Sequence, residues 1–457
     1  MALPANESWM SKAFQTRWIV LISIVLECFL FYLYYFPEPK LFMGDEKRYF
    51  DAAVVIANGG DWHTHPLWPP MQSVLLAFFI KFFNQPLLAL QIFQYGLLLL
   101  SGFIVRDMVW RETQHAFSSQ VALAVMLLYP SWLAYSHYLW PEVVHVLLFV
   151  AILWINQYKY YSYRFLLFSG ALLGLALLFK SLLVLFVPVL YWPVIVKLGI
   201  KKASITVGLS LVLAGVVMAP ASIKAHQMTG SWMVSNSSMF NLWFGLKDKH
   251  RQNFTKDLGH ETYLEYMNSA QGFVQRNKII KEKALNKIQQ VGYLQTVVNQ
   301  LKKQYFRLFD YQSFFSQQFQ GDRQDNYLSR YYHRADSFWV SLLLFFNVLF
   351  YLVLMSAMFM ALWIACKSSL LARQLLLFLL YLLALFVLLH TKPRFRIPLV
   401  PLMAFFSAYL SFYIHQNNMT WVKVLRNKAY LLTVLFSVMI VLFFVFSAKL
   451  LDIYFPI

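Results

Sequence analysis

The chain is 457 residues long, 60% hydrophobic, 18% aromatic and only 13% charged, whereas a soluble domain carries roughly 25% charged residues. That composition excludes an ordinary soluble globular protein and marks an integral membrane protein. The formal charge of +19 would suggest a nucleic-acid partner in a soluble chain, but here it must be read from where the charges fall between apolar runs.

The first run, Trp18 to Phe36, is followed by Pro37-Glu38-Pro39-Lys40 with no small-residue cleavage site, so it is expected to stay as a retained signal anchor. Runs able to cross about 30 Å of hydrocarbon recur near 17–36, 86–105, 118–136, 141–157, 165–180, 182–196, 204–222, 338–363, 374–390, 398–414 and 430–448. The prediction is an all-α polytopic membrane protein of about eleven crossings. Short connections on one side carry Lys12, Arg17, Arg106, Arg111, Lys159, Arg164, Lys197, Lys201, Lys202, Lys367, Arg373, Lys423, Arg426 and Lys428, the positive-inside pattern that places the N-terminus in the cytoplasm. Three regions follow: 1–222 with a first outer loop at 37–85, an outer segment at 223–337, and a second membrane region at 338–457. Cys28 and Cys366 lie in or beside apolar runs, so neither a disulfide nor a cysteine-held metal is expected.

The first outer loop opens with Gly44-Asp45-Glu46-Lys47-Arg48-Tyr49 and continues to Gly60-Asp61-Trp62 and Pro69-Pro70. Adjacent carboxylates beside a bilayer are costly and point to a site. Tyr49, Phe50, Ala53, Val54, Ile56 and Ala57 suit an interfacial helix ended by Asn58-Gly59-Gly60, with Asp45 at its N-terminal end either as a cap or as a reacting group. Met71 to Phe83 is too short to cross and reads as a second interfacial helix. His63 and His65 match no specific zinc spacing and are read as polar lining, leaving no metal site assigned.

Farther along, Glu142 follows Pro141 at an outer span end, where it would orient an acceptor, bind a divalent ion or cap its helix. Lys180 interrupts an apolar stretch and is a site candidate for that reason, or else it marks a turn between spans. Glu27 lies mid-span with no partner evident from sequence. The 223–337 segment holds sixteen Lys and Arg against nine Asp and Glu, and Leu294, Val297, Val298, Leu301, Tyr305 and Leu308 recur at helical spacing, the mark of a helix riding the surface. Arg394 and Arg396 adjoin an apolar run, where they would either fork onto phosphate or snorkel to headgroups.

The order Asp45-Glu46-x-Arg48-Tyr49, Gly60-Asp61-Trp62 and Pro69-Pro70 directly after one span resembles the GT-C glycosyltransferases, in particular the branch of protein O-mannosyltransferases and the lipid A aminoarabinose transferase. Tyr129-Pro130, Pro141-Glu142, Phe179-Lys180-Ser181, Asn241-Leu242-Trp243-Phe244-Gly245 and Arg394-Phe395-Arg396-Ile397-Pro398-Leu399-Val400-Pro401 extend the resemblance to about residue 410. One departure is Leu67-Trp68 ahead of Pro69, where the aminoarabinose branch has a lysine. The resemblance implies a GT-C transmembrane bundle that moves a sugar, with inversion, from a polyprenyl-phosphate donor to a lipid, glycan or protein acceptor on the outer face. It implies Asp45 as base, with Glu46 and Glu142 as further acidic candidates. Arg48, Tyr49, His65, Lys180, Arg394 and Arg396 become the substrate-binding candidates. No cofactor is required by this chemistry, although a divalent cation is compatible with it. The expected setting is a bacterial inner membrane with the site facing the periplasm.

Two other readings compete. A transporter or flippase of lipid-linked sugars would suit many spans, but two similar halves and paired broken helices are not evident. An oligosaccharide ligase would place its key Arg and His residues in a late outer loop, where here the acid cluster stands in the first.

Overall fold

Backbone N–H and C=O groups in hydrocarbon must be satisfied internally, which leaves helices or closed barrels. Among the described residues of this chain the regular structure is helical. The computed structural model describes residues 9–36, 40, 42–62, 67–235, 237–251, 256–311, 314–319, 338–420, 423, 426, 428–448 and 451.

In chain order the helices are α1 (Trp9–Tyr35), α2 (Glu46–Ala57), α3 (Met71–Phe82), α4 (Pro86–Thr113), α5 (Ala116–Leu128), α6 (Pro130–Leu133), α7 (Glu142–Tyr158), α8 (Tyr163–Phe179), α9 (Val187–Leu198) and α10 (Ile200–Thr229). Then come α11 (Ser238–Lys247), α12 (Lys256–Asn268), α13 (Phe273–Val291), α14 (Tyr293–Phe309), α15 (Phe338–Ser368), α16 (Leu370–Leu388), α17 (Val400–Gln416) and α18 (Lys428–Phe446). Seven stretches among the described residues are long and apolar enough to cross a membrane, and the pair Ala116–Leu128 with Pro130–His137, bent by 53°, makes an eighth. Pro130 accounts for the bend, since proline has no N–H to continue the helix and its ring displaces the preceding turn. Seven or eight is fewer than the eleven crossings expected: α7, α8 and Leu431–Phe446 coincide with the other three expected crossings but are shorter apolar helices, as is α3.

Close packing sets the bundle. On α8, a Cβ at Gly170 would stand 2.1 Å from the Ser210 carbonyl oxygen, and one at Gly174 would stand 2.6 Å from that of Ala214. Only glycine lets α10 come this near, and Ser210 Oγ donates to the Leu166 carbonyl across the contact at 2.9 Å. Glu27, mid-span in α1, is held by Ser136 Oγ at 2.5 Å and His137 Nε2 at 3.3 Å.

Two features position the candidate site. First, Leu67 ahead of α3 meets α12 and α13, where Leu67, Tyr266, Phe273 and Ile280 form a small apolar cluster with Trp68 and Trp243 around them. Second, α14 keeps Leu294 and Val297 outward but buries Gln300, Lys303, Gln304 and Arg307. This polar face is an anchor. Arg307 pairs with Asp248 at 2.7 Å, both fully buried, Lys303 donates to the carbonyls of Gly245 and Asp248 at 2.6 Å each, and Gln304 accepts from the Thr391 N–H at 3.0 Å. The His390 N–H donates to the Asn241 carbonyl at 3.1 Å. Residues 390 and 391 are thereby fixed just before the 3₁₀ segment Pro393–Leu399, which carries the two arginines.

Candidate active site

Gly44 turns the chain into α2 at φ +55°, a left-handed conformation that a side chain makes strained. Asp45 follows at the N-cap position of α2, but its side chain makes no cap hydrogen bond. Its carboxylate instead receives Arg394 Nη2 at 2.6 Å. The Arg394 Nε stands 4.0 Å from Glu142 Oε1, and the same oxygen takes Lys180 Nζ at 3.2 Å. Asp45, Arg394, Glu142 and Lys180 thus form a chain of alternating sign, drawn from the start of α2, the 3₁₀ segment, the start of α7 and the break after α8. Glu142 begins α7 right after Pro141, where the helix N-terminus favours its negative charge.

Aromatic faces wall the group. The Arg394 guanidinium lies 4.8 Å from the Trp140 ring and 5.5 Å from Phe395, and Lys180 Nζ lies 5.1 Å from Phe395. Trp140 is itself buried and stacks on Tyr138 at 4.2 Å, so it is an interior wall and not a membrane-interface anchor. Tyr49, one turn beyond Asp45, is buried at the same place, and burial, followed by the Asp45 charge, pushes its phenol up, keeping it a neutral hydroxyl donor.

Burial pushes the Asp45 carboxyl up, but the Arg394 guanidinium, then Lys392 and Arg48, outweigh it and hold the group at about 2. Lys392 moves the other way: burial lowers its ammonium to about 8, with Arg394 and Arg48 adding to the effect and Asp45 opposing it. Beside Asp45 a cleft of about 330 Å³ opens, with Arg48, Tyr49, Trp68, Pro69 and Tyr263 among its walls. Arg48 lies 4.9 Å from the Trp68 ring and 3.9 Å from that of Tyr263.

The remaining sequence candidates separate. Glu46 is fully buried and its carboxylate is occupied: Oε1 accepts from the Leu139 N–H at 2.7 Å and faces Lys40 Nζ at 2.9 Å, while Oε2 accepts from the Met43 N–H at 2.7 Å. Burial pushes its carboxyl up against those three partners. It ties α2 to the Leu139-Trp140-Pro141 turn and does not line the cleft. Arg396 is not brought to Asp45 either; it points into the protein, donates to the carbonyl of Asp310 and lies 4.3 Å from the Tyr351 ring. His65 lies outside the described residues. Asp61 is paired with Lys224 of α10 at 2.6 Å. Lys392 and Tyr263 were not singled out from sequence; Lys392 stands two residues before Arg394, and only that adjacency hinted at it.

Among the described residues, no group of three or more His, Cys, Asp or Glu side chains is placed to hold a metal ion. The two carboxylates nearest to such a role, Asp45 and Glu142, both face Arg394.

No protein-family model and no curated protein matches the chain. Among solved structures, it is similar to the archaeal oligosaccharyltransferase AglB from Archaeoglobus fulgidus, in complex with an inhibitory peptide and a dolichol-phosphate, at 12% identity and TM-score 0.48, over 95% of this chain and 56% of that one. It is also similar to ArnT from Cupriavidus metallidurans bound to undecaprenyl phosphate, at 12% identity and TM-score 0.37, over 87% of this chain and 78% of that one. The chain spans just over half the length of the oligosaccharyltransferase chains it matches.

Proposed function

We propose that this protein is a GT-C-type glycosyltransferase of a bacterial inner membrane, moving a sugar from a polyprenyl-phosphate donor to an acceptor hydroxyl on the periplasmic face with inversion. The observation that carries the reading is the Asp45 carboxylate: it sits at a helix start without capping it, at the end of a cleft, and in contact with a guanidinium able to bind phosphate.

In the proposed step the acceptor oxygen attacks the anomeric carbon and a new C–O bond forms. The bond from that carbon to the phosphate oxygen breaks, and its electron pair leaves with the carrier phosphate. The acceptor proton passes to Asp45, which must lie within hydrogen-bond reach of it. The leaving phosphate gains negative charge, so fixed cations aimed at it matter more than an acid. Arg394, Lys180 and Lys392 supply them, and Arg394 can grip a phosphate in bidentate fashion.

Arg394 has a second part in this reading. With the guanidinium on Asp45, a carboxyl at about 2 is a weak base. A donor phosphate competes for the same guanidinium and thereby raises the basicity of Asp45 once donor is bound. Glu142, itself paired with Lys180, faces Arg394 from behind, and Glu46 acts as the anchor of the loop.

The test is to incubate the purified protein in lipid nanodiscs with a panel of radiolabelled polyprenyl-phosphate sugars and a cell-envelope extract as acceptor. Transfer of label from one of these donors, with inversion of its anomeric configuration, is expected. Label moved only from nucleotide sugars, or from pyrophosphate carriers alone, would overturn the donor assignment.

A further inference from the structure

Arg48 is the cation the proposed transfer step leaves unused. It is exposed, and among the described residues no carboxylate or carbonyl accepts from its guanidinium. It is nonetheless held in place, 3.9 Å from the Tyr263 ring and 4.9 Å from the Trp68 ring. At 3.9 Å the guanidinium carbon lies over the Tyr263 ring at cation–π distance, and a guanidinium held there through its carbon leaves N–H donors at its edge for a further partner. Rigid, planar and unoccupied donors are what a carboxylate or phosphate requires for a two-point grip.

The surroundings favour an anion. Asp51, the other acid of the cleft, is neutralised by Lys47 at 3.1 Å, and Asp45 is neutralised by Arg394 at 2.6 Å. Arg48 then remains as the cation of the cleft wall with no carboxylate at salt-bridge distance among the described residues. The wall that holds Arg48 is also braced. Tyr263 belongs to α12, and two residues along, Glu265 takes Trp243 Nε1 and Lys247 Nζ at 3.0 Å each and Lys283 Nζ at 2.8 Å, joining α12 to α11 and α13.

Position distinguishes this place from the donor phosphate group. Arg394 meets Asp45 from the 3₁₀ segment and Lys180 meets Glu142 from the end of α8, whereas Arg48 lies one helical turn along α2, exposed and beside Tyr263 of α12. Residues three apart on a helix stand about 5–6 Å apart at Cβ, the breadth of one sugar ring.

We infer that Arg48, held against the Trp68 and Tyr263 rings, is a recognition subsite for an acidic group on the acceptor, so that the acceptor is a sugar carrying a carboxylate or a phosphate. The assignment of this end of the cleft to the acceptor rests on Asp45 as base; anion binding at Arg48 does not.

Binding can be read without turnover by calorimetric titration of the protein in neutral-lipid nanodiscs with glucuronate, glucose 6-phosphate and glucose. At least one of the two anions is expected to bind roughly tenfold or more tightly than glucose. Preference for glucuronate identifies a sugar acid, and preference for glucose 6-phosphate a phosphorylated glycan. Arg48→Gln should remove that preference. Arg48→Lys, which keeps the charge and loses the fork, should weaken it severalfold while retaining the wild-type melting temperature, and Tyr263→Ala, which loses the ring contact, should weaken it as well. Glucose binding as tightly as both anions, or an anion preference unchanged in Arg48→Gln, would overturn the inference. Asp45→Asn keeps the preference if the subsite is separate from the base, so failure of the base assignment and failure of the subsite are told apart.

Discussion

Asp45 carries a charge that its surroundings set from both sides. Burial opposes the carboxylate and Arg394 favours it, with the guanidinium prevailing. Because the folded-state value lies below that of an unfolded aspartate, the pair contributes stability above about pH 4, lost as the pH falls through about 2. In kcat/KM, no acid limb from Asp45 is therefore expected above about pH 3 in the wild type. Arg394→Gln removes the largest opposing charge and leaves Lys392 and Arg48 against burial, so the acid limb should move upward; a profile that stays in place would separate Arg394 from Asp45. Glu46 differs from its neighbour in kind. Glu46→Gln leaves Lys40 as a buried uncompensated cation, a loss of roughly 3–5 kcal/mol in comparable cases. Reduced folded abundance is expected, with near-normal specific activity in the protein that does fold. Full abundance with no activity would instead make Glu46 a reacting group.

At the scale of elements, the site depends on short segments with restricted geometry. The 3₁₀ segment Pro393–Leu399 has three residues per turn, so Arg394 and Arg396, two positions apart, cannot face the same way. The alternation of arginine and apolar residues suggested a shared phosphate clamp, and the backbone form separates them. Arg396 is used inward, on Asp310 and Tyr351. The helix pair α8 and α10 sets where Lys180 emerges, since Lys180 caps α8 and Gly170 and Gly174 allow the close contact behind it. Gly170→Val has no space against the Ser210 backbone and overpacking of this kind costs roughly 1–3 kcal/mol or more. A lower melting temperature is expected, together with weaker donor binding as Lys180 shifts; an unchanged melting curve would mean that the two helices part without cost.

For the molecule as a whole, the parts legible in sequence were those governed by local pattern. Apolar run length predicted the long apolar helices, seven or eight of which could cross a membrane among the described residues; helical spacing predicted α2 and α14, an apolar run too short to cross marked α3, and the charge beside the first span directed attention to Asp45. Contacts between distant segments were not legible. Glu46 and Asp45 are adjacent and chemically alike, and only the fold shows that one faces Leu139 and the other Arg394, 349 positions away. Tyr263 sits in a segment that the sequence marked by its basic composition, while its aromatic contact with Arg48 depends on where α12 folds relative to α2. Likewise, α14 showed its apolar stripe in sequence, yet the buried polar face that fixes residues 390 and 391 has no periodic signature.

The most direct test of the central claim is transfer by Asp45→Asn, purified in nanodiscs and compared with wild type under single-turnover conditions with a labelled polyprenyl-phosphate sugar. Asparagine keeps the size and removes both the charge and the proton acceptor. Transfer per folded molecule is expected to fall by roughly 10²- to 10⁴-fold; transfer per folded molecule within a few-fold of wild type would contradict Asp45 as the base.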